Sequence, residues 1–161
     1  MNKSQPHLAR LAAHTEALMA GNMAEQVGAI CYRPDGAGHI EVLLITTRET
    51  QRWTIPKGWP IKGLKAHEAA EREAWEEAGI KGKVKKKPIG YFTYLKVLEA
   101  GKSVPSLVQV HLLAVESQGD NFPEHGQRTT EWMPLPEAAR RVREPELKGL
   151  FTRLRDLESG D

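Results

Sequence analysis

Gly58-Trp-Pro-Ile-Lys-Gly-Leu64-Lys-Ala-His-Glu-Ala-Ala-Glu-Arg72-Glu73-Ala-Trp-Glu76-Glu77-Ala-Gly79-Ile80 is the stretch that decides how this chain is read. A helix over Ala66 to Ala78 puts Glu73, Glu76 and Glu77 on one face, because residues three and four apart are neighbours there. Three carboxylates so close repel one another. A hard divalent cation would offset that repulsion, since Mg2+ takes oxygen ligands from a few carboxylates together with substrate phosphates. A solvated acidic helix face is the competing reading. The flanks argue against it. A Pro56-Lys57-Gly58-Trp59 turn precedes the helix, and Gly79 stands where a C-terminal glycine cap belongs. Ala70, Ala74 and Ala78 line a second face, small enough to pack closely on a sheet. The helix start, at Lys65 or Ala66, lacks a standard capping side chain, while Glu68 and Glu71 suit its positive end.

Upstream, Glu25 to Arg33 reads as a strand in which Val27, Ala29 and Cys31 alternate with Gln26, Gly28 and Ile30. A Pro34 to Gly38 turn leads into a β-branched strand over Ile40 to Thr47, so the two make a hairpin. Trp53 to Pro56 is a short extended piece, and Lys57 to Lys65 reads as a glycine- and lysine-rich loop. Downstream, Lys81 to Lys87 carries five lysines in seven residues. That run is a solvated loop or edge strand, or a surface near a phosphate-rich ligand.

Pro88 to Val97 and Leu107 to Val115 read as strands joined by a turn at Glu99 to Ser103. Gln109 and His111 share a face of the second; a lone histidine there defaults to a satisfied structural role. Gly119 to Thr130 is a polar loop, Thr129 to Met133 a short strand, and Pro136 opens a helical region. Pro145 interrupts it, and Leu147 to Leu157 continues as an amphipathic helix. Residues 1–23 read as an N-terminal extension with a weakly periodic helix between about His7 and Met19, ended by Gly21-Asn22.

The chain has 161 residues, which suits a single domain over 24–161. One cysteine, Cys31, excludes an internal disulfide and a cysteine-based zinc site. It fits a reducing compartment, and the cytoplasm is the expected location. No apolar run is long enough for a transmembrane helix, so no membrane partner is expected. A formal net charge of +2 permits an anionic substrate but does not argue for nucleic-acid binding.

The opening stretch resembles the Nudix box, Gly-x5-Glu-x7-Arg-Glu-U-x-Glu-Glu-x-Gly-U with U a bulky aliphatic. Gly58, Arg72, Glu73, Glu76, Glu77, Gly79 and Ile80 fall on that template; Leu64 replaces its first Glu, and Ala74 a larger aliphatic. The resemblance implies an α+β Nudix fold, with a mixed β-sheet sandwiched between helices as an α/β/α sandwich. It also implies a pyrophosphohydrolase using Mg2+ (or Mn2+) and water attack at phosphorus. In that scheme Glu76 and Glu77 ligate metal, and Glu73 ligates metal or acts as general base. The Lys57 carbonyl adds a ligand, and Glu124 supplies a further acidic ligand from a loop. Arg72 braces the box, but Leu64 removes its usual partner. Gly58, Lys57, Lys62, Lys65, Arg48, Arg52 and Arg128 are candidates for holding substrate phosphates.

The Pro-Lys-Gly turn is similar to that of diadenosine polyphosphate hydrolases. The Trp53-Thr-Ile-Pro and Arg128-Thr-Thr-Glu-Trp-Met segments are similar to the diphosphoinositol polyphosphate phosphohydrolase branch. Dinucleoside polyphosphates or inositol pyrophosphates are therefore the expected substrates, with RNA 5′ ends and ADP-ribose behind. The alternative is a Nudix-like nucleotide-binding sensor with catalysis weakened at Leu64.

Overall fold

The computed structural model describes residues 23–97 and 101–159. The expected helix within residues 1–22, and with it the proposed N-terminal extension, lies outside them, as does part of the Glu99 to Ser103 turn. The strands are β1 (Ala24–Pro34), β2 (Ile40–Thr46), β3 (Trp53–Thr54), β4 (Lys57–Gly58), β5 (Ile80–Val84), β6 (Gly90–Val97), β7 (Ser103–Gln118) and β8 (Thr130–Pro134). The helices are α1 (Ala66–Ala78), α2 (Leu135–Arg141) and α3 (Pro145–Ser159).

These strands make one eight-stranded sheet in the order β3-β2-β1-β7-β5, with β4 also on β1, β6 on β7 and β8 on β2. Strands β1 and β7 pair in parallel from Ala24↔Ser106 to Tyr32↔Ala114; the other pairings are antiparallel, so the sheet is mixed. The expected hairpin is present, with Tyr32 opposite Val42.

Alternation along β1 buries both faces. Ile30 joins Val108, Val110 and Phe92 in a cluster closed by Ala138, Leu147, Phe151 and Leu154 of α2 and α3. Val27, Ala29 and Cys31 face Ala69, Ala70, Ala74 and Ala78 of α1. The alanines are at most 1% exposed, so the small-residue face of α1 lies directly on the sheet. This gives the sandwich of helices about a sheet that the sequence implied. Cys31 is fully buried, and burial followed by the nearby Glu77 charge raises its thiol to about 12.

Helix α1 begins without a side-chain acceptor at Lys65. Glu68 instead reaches back, and the Lys65 backbone N–H donates to its Oε1 at 2.8 Å. The helix stops at Gly79, whose φ of 69° is left-handed and whose N–H donates to the carbonyls of Ala74 and Trp75.

Two sequence expectations change, and the edge-strand reading of the lysine run holds. Lys57-Gly58 is strand rather than loop, because β1 offers an edge opposite Val27 and Gly28. The lysine run contains edge strand β5, with Ile80 buried and Lys81 and Lys83 exposed. Strand β7 extends to Ser103–Gln118, since β6 and β5 pair successive halves of it. No helix among the described residues is long and apolar enough to cross a membrane.

Candidate active site

The box helix, the β4 turn, the ends of β1, β2 and β6, and the loop after β7 meet around a cavity of about 400 Å³. Strand β4 fixes the near wall. The Lys57 N–H donates to Glu77 Oε1 at 3.3 Å, which ties the turn to the helix. Gly58 lies directly against Glu73, and a Cβ at this position would overlap the Glu73 carboxylate. The box needs glycine here because the acid occupies the space of a side chain.

The loop after β7 is pinned at both ends. The Gly119 N–H donates to the Gly79 carbonyl at 2.9 Å, and the Glu124 N–H to the Glu76 carbonyl at 3.0 Å. At the far end Thr129 N–H donates to Thr46 Oγ1 at 2.9 Å. A polar loop on a helix end thereby becomes a fixed wall, and it delivers Glu124 and Arg128 to the cavity. The guanidinium of Arg128 bonds the Thr46 carbonyl at 3.0 Å and Glu124 Oε1 at 3.1 Å, and lies 3.6 Å from Glu77 Oε2.

The expected carboxylates are all buried: Glu73 at 2% exposure, Glu77 at 5%, Glu124 at 8% and Glu76 at 9%. Glu73, Glu77 and Glu124 line the cavity, whereas Glu76 lies outside its lining. Among the described residues no three acidic, histidine or cysteine side chains already converge at ion-binding distance. The donor set nonetheless suits a hard divalent cation. It is made of carboxylate oxygens withdrawn from solvent, with Glu73 seated in the cradle left by Gly58. Glu73, Glu77 and Glu124 would hold such an ion.

Cations share the lining with the acids. Lys57, Lys96, Arg48 and Arg128 line the same cavity. Burial lowers the Lys57 ammonium to about 8, although Glu77 pulls it back upward. Burial also lowers Lys96. The Lys57 Nζ sits 4.6 Å from the centre of the Tyr94 ring, and Lys96 Nζ lies 5.7 Å over that of Trp59. Tyr94 donates its hydroxyl to Gln26 Oε1 at 2.5 Å, and burial, reinforced by Glu77, raises its phenol. Arg48 reaches the rim and donates to Gln127 Oε1 at 3.1 Å.

Of the sequence candidates, the fold brings together Lys57, Gly58, Glu73, Glu77, Glu124, Arg48 and Arg128. Lys62, Lys65 and Arg72 are exposed and lie outside the lining. Arg52 also lies outside it and bonds Thr50 Oγ1 at 3.2 Å. Arg72, without a carboxylate at position 64, thus points to solvent. His111 is structural: its Nδ1 bonds the Lys85 carbonyl and its Nε2 the Gln109 amide, both at 2.8 Å.

Sequence reading missed Gln26, Tyr94, Lys96 and Trp59. Two signals point to the first three. Tyr94 and Lys96 are two apart on one strand and so share a face, and Gln26 is a polar residue within an apolar strand.

The chain matches the NUDIX domain over residues 24–154. It is 30% identical over 112 residues to Nudix hydrolase 16, mitochondrial, of Arabidopsis thaliana, covering 68% of this chain and 62% of that one. It is 34% identical over 113 residues to the plant's Nudix hydrolase 21, chloroplastic, covering 66% and 52%. The chain therefore spans between about half and two thirds of the length of these curated relatives. Among solved structures, the C. elegans Ap4A hydrolase binary complex superimposes with a TM-score of 0.64 at 24% identity, covering 86% of this chain and all of that one. The E. coli dihydroneopterin triphosphate pyrophosphohydrolase gives 0.63 at 17% identity, covering 83% and 98%. The NUDIX domain of Shewanella oneidensis NrtR, complexed with ADP ribose, gives 0.60 at 14% identity, covering 88% and 97%. At these identities the structural likeness shows the fold alone.

Proposed function

This chain belongs to the Nudix family, and on that premise we propose that it is a metal-dependent pyrophosphohydrolase. Its reaction opens a phosphoanhydride in a phosphate-dense small molecule, a dinucleoside polyphosphate or an inositol pyrophosphate. One observation carries the reading: a single cavity sets Glu73, Glu77 and Glu124 against Lys57, Lys96, Arg48 and Arg128. Fold alone would not support an activity. That distribution of charge does, because hydrolysing a phosphoanhydride requires both neutralised phosphate oxygens and an acceptor for the proton of water.

The carboxylates would hold Mg2+ or Mn2+, which when bound neutralises phosphate charge and lowers the pKa of water. The chain's own groups do the rest. Lys57 and Lys96 orient the phosphates from the β4 and β6 side, and Arg48 and Arg128 from the loop side. Glu73, buried against Gly58, would act either as a metal ligand or as the acceptor of the proton from the attacking water. The oxygen of that water bonds to phosphorus, and the bond from phosphorus to the bridging oxygen breaks. One lysine ammonium lies over each of the Tyr94 and Trp59 rings, and Trp59 is buried, so the cavity sets cations beside its aromatic rings. This favours recognition of the phosphate chain. A second reading, a nucleotide sensor with weak catalysis, is favoured by Leu64, where the box otherwise has a carboxylate. A cytoplasmic location remains part of the proposal.

Incubation with Mg2+ or Mn2+ and a panel of dinucleoside polyphosphates, inositol pyrophosphates, ADP-ribose and 5′-triphosphorylated RNA separates the two readings. Turnover of a phosphate-dense substrate, lost by about 100-fold or more in Glu77→Gln, supports the hydrolase. Ligand binding without turnover of any compound supports the sensor.

A further inference from the structure

The four cations of the cavity are held in two different ways. Arg48 and Arg128 donate to protein oxygens, those of Gln127, Glu124 and Thr46. Among the described residues the ammoniums of Lys57 and Lys96 make no hydrogen bond or ion pair; each meets an aromatic ring instead. Their N–H donors are therefore open to a ligand.

Lys57 has the better-defined seat, and strand pairing builds it. Directly opposed residues share a face of a sheet. Tyr94 pairs with Ser106 of β7, and Ser106 with Ala24 of β1. Gln26 and Gly28 lie two and four residues beyond Ala24 and so share that face. Lys57, on the other edge of β1, pairs with Gly28. Two strand spacings, about 10 Å, separate β6 from β1. Ser106 between them is small and fully buried. The Tyr94 side chain crosses above it, and its hydroxyl donates to Gln26 Oε1 at 2.5 Å. From the other edge Lys57 crosses Gly28, where a Cβ would come within 3.2 Å of the Lys57 Cβ. The two side chains meet over β1, with the Lys57 Nζ 4.6 Å from the ring centre.

Gln26 fixes the ring. It is 3% exposed, although its buried neighbours Ala24, Val27, Ala29 and Ile30 on β1 are apolar. Its amide oxygen is the acceptor that a largely buried tyrosine hydroxyl requires. An apolar residue at this position would leave that hydroxyl without it and the ring without its tether.

We propose that Tyr94 and Gln26 are positioning residues that together hold the Lys57 ammonium at the cavity wall, with its N–H donors left for substrate phosphate. Tyr94 supplies the face on which the ammonium rests, and Gln26 fixes the angle of that face. Both act through Lys57. That Lys57 meets phosphate rests on the function proposed above.

Calorimetric binding of inorganic tripolyphosphate to the metal-free full chain tests the proposal in a double-mutant cycle. Tyr94→Leu should weaken binding about tenfold, the size of a cation–π contact sheltered from water. In a Lys57→Met background the same change should cost less than about twofold. Gln26→Leu, close in volume, should weaken binding about threefold, the size of one hydrogen bond, and again only while Lys57 is present. It carries the cycle alone if Tyr94→Leu does not fold. In the proton NMR spectrum the Lys57 ε-CH2 signal, assigned by its loss in Lys57→Met, should stand upfield from the ring current and return downfield in Tyr94→Leu. Equal losses with and without Lys57 overturn the proposal, as does affinity unchanged by both Tyr94→Leu and Gln26→Leu. A wild-type chain that does not bind tripolyphosphate overturns it too. Turnover of the substrate panel is scored separately. Hydrolysis without the coupling sinks the positioning role alone, and coupling without hydrolysis upholds that role while sinking the hydrolase.

Discussion

Replacing Arg128 with methionine removes a buried cation from between two buried acids while roughly keeping its volume. The Arg128 side chain is 11% exposed, and those of Glu77 and Glu124 are 6% and 9%. At 3.6 and 3.1 Å each pair is worth about 5 kcal/mol of gross attraction at an effective dielectric near 20, and desolvation cancels much of that. Removing one member of a buried pair usually costs about 3–5 kcal/mol, because the remaining charge is left uncompensated. Some of this is recovered as water enters the cavity, so about 3 kcal/mol is expected for the metal-free protein. In a chain of this size that lowers Tm by roughly 6–12 °C. A divalent cation replaces the missing charge, so Arg128→Met should gain more Tm on adding Mn2+ than the wild type does. Arg128→Lys keeps the charge without the fork and should fall between the two. The measurement is thermal denaturation by circular dichroism, with and without Mn2+. A metal-free Tm within about 2 °C of wild type, or an equal Mn2+ response in the two proteins, would refute the role given to Arg128.

Gly58→Ala should displace the Glu73 carboxylate and cost about 1–3 kcal/mol from overpacking, read by urea denaturation, together with most of the hydrolysis rate. Arg72→Ala should change stability by no more than about 0.5 kcal/mol and leave metal binding unaltered by calorimetry, because the side chain is exposed. Burial holds the His111 imidazole below its usual pKa, against the Lys85 carbonyl that favours the proton. The unfolded chain therefore takes up this proton first as pH falls. The stability His111 contributes is complete above about pH 6.5 and is lost as pH drops toward the lowered folded value. His111→Gln should flatten the plot of unfolding free energy against pH in that window; an unchanged slope would refute it.

Local chemistry made much of this molecule legible. The helix over Ala66–Ala78 is written in its alanine face, its clustered acids and Gly79, and it has those bounds in the structure. The alternation along β1 identified both of its faces, because a period of two leaves a strand no other way to bury apolar side chains on either side. Lys57-Gly58 was not legible as strand. Two residues carry no period, and only the free edge of β1 makes them pair.

The site divides in the same way. The sequence by itself determined the family and the acid cluster of the box helix, since Glu73, Glu76 and Glu77 lie within about one helical turn of each other; the burial of those acids and the contact of Gly58 with Glu73 came with the fold. The sequence also pointed to Glu124 and Arg128, without placing them. Tertiary structure alone decided which cations face the acids. Lys62, Lys65 and Arg72 are near the box in sequence and turn to solvent, while Lys96 and Tyr94 come from a strand beyond the helix and line the cavity. The cause is geometric. A helix or turn constrains neighbours a few residues apart, whereas the approach of β6 and the loop after β7 follows from how β7 pairs and how that loop hydrogen-bonds to the end of the box helix.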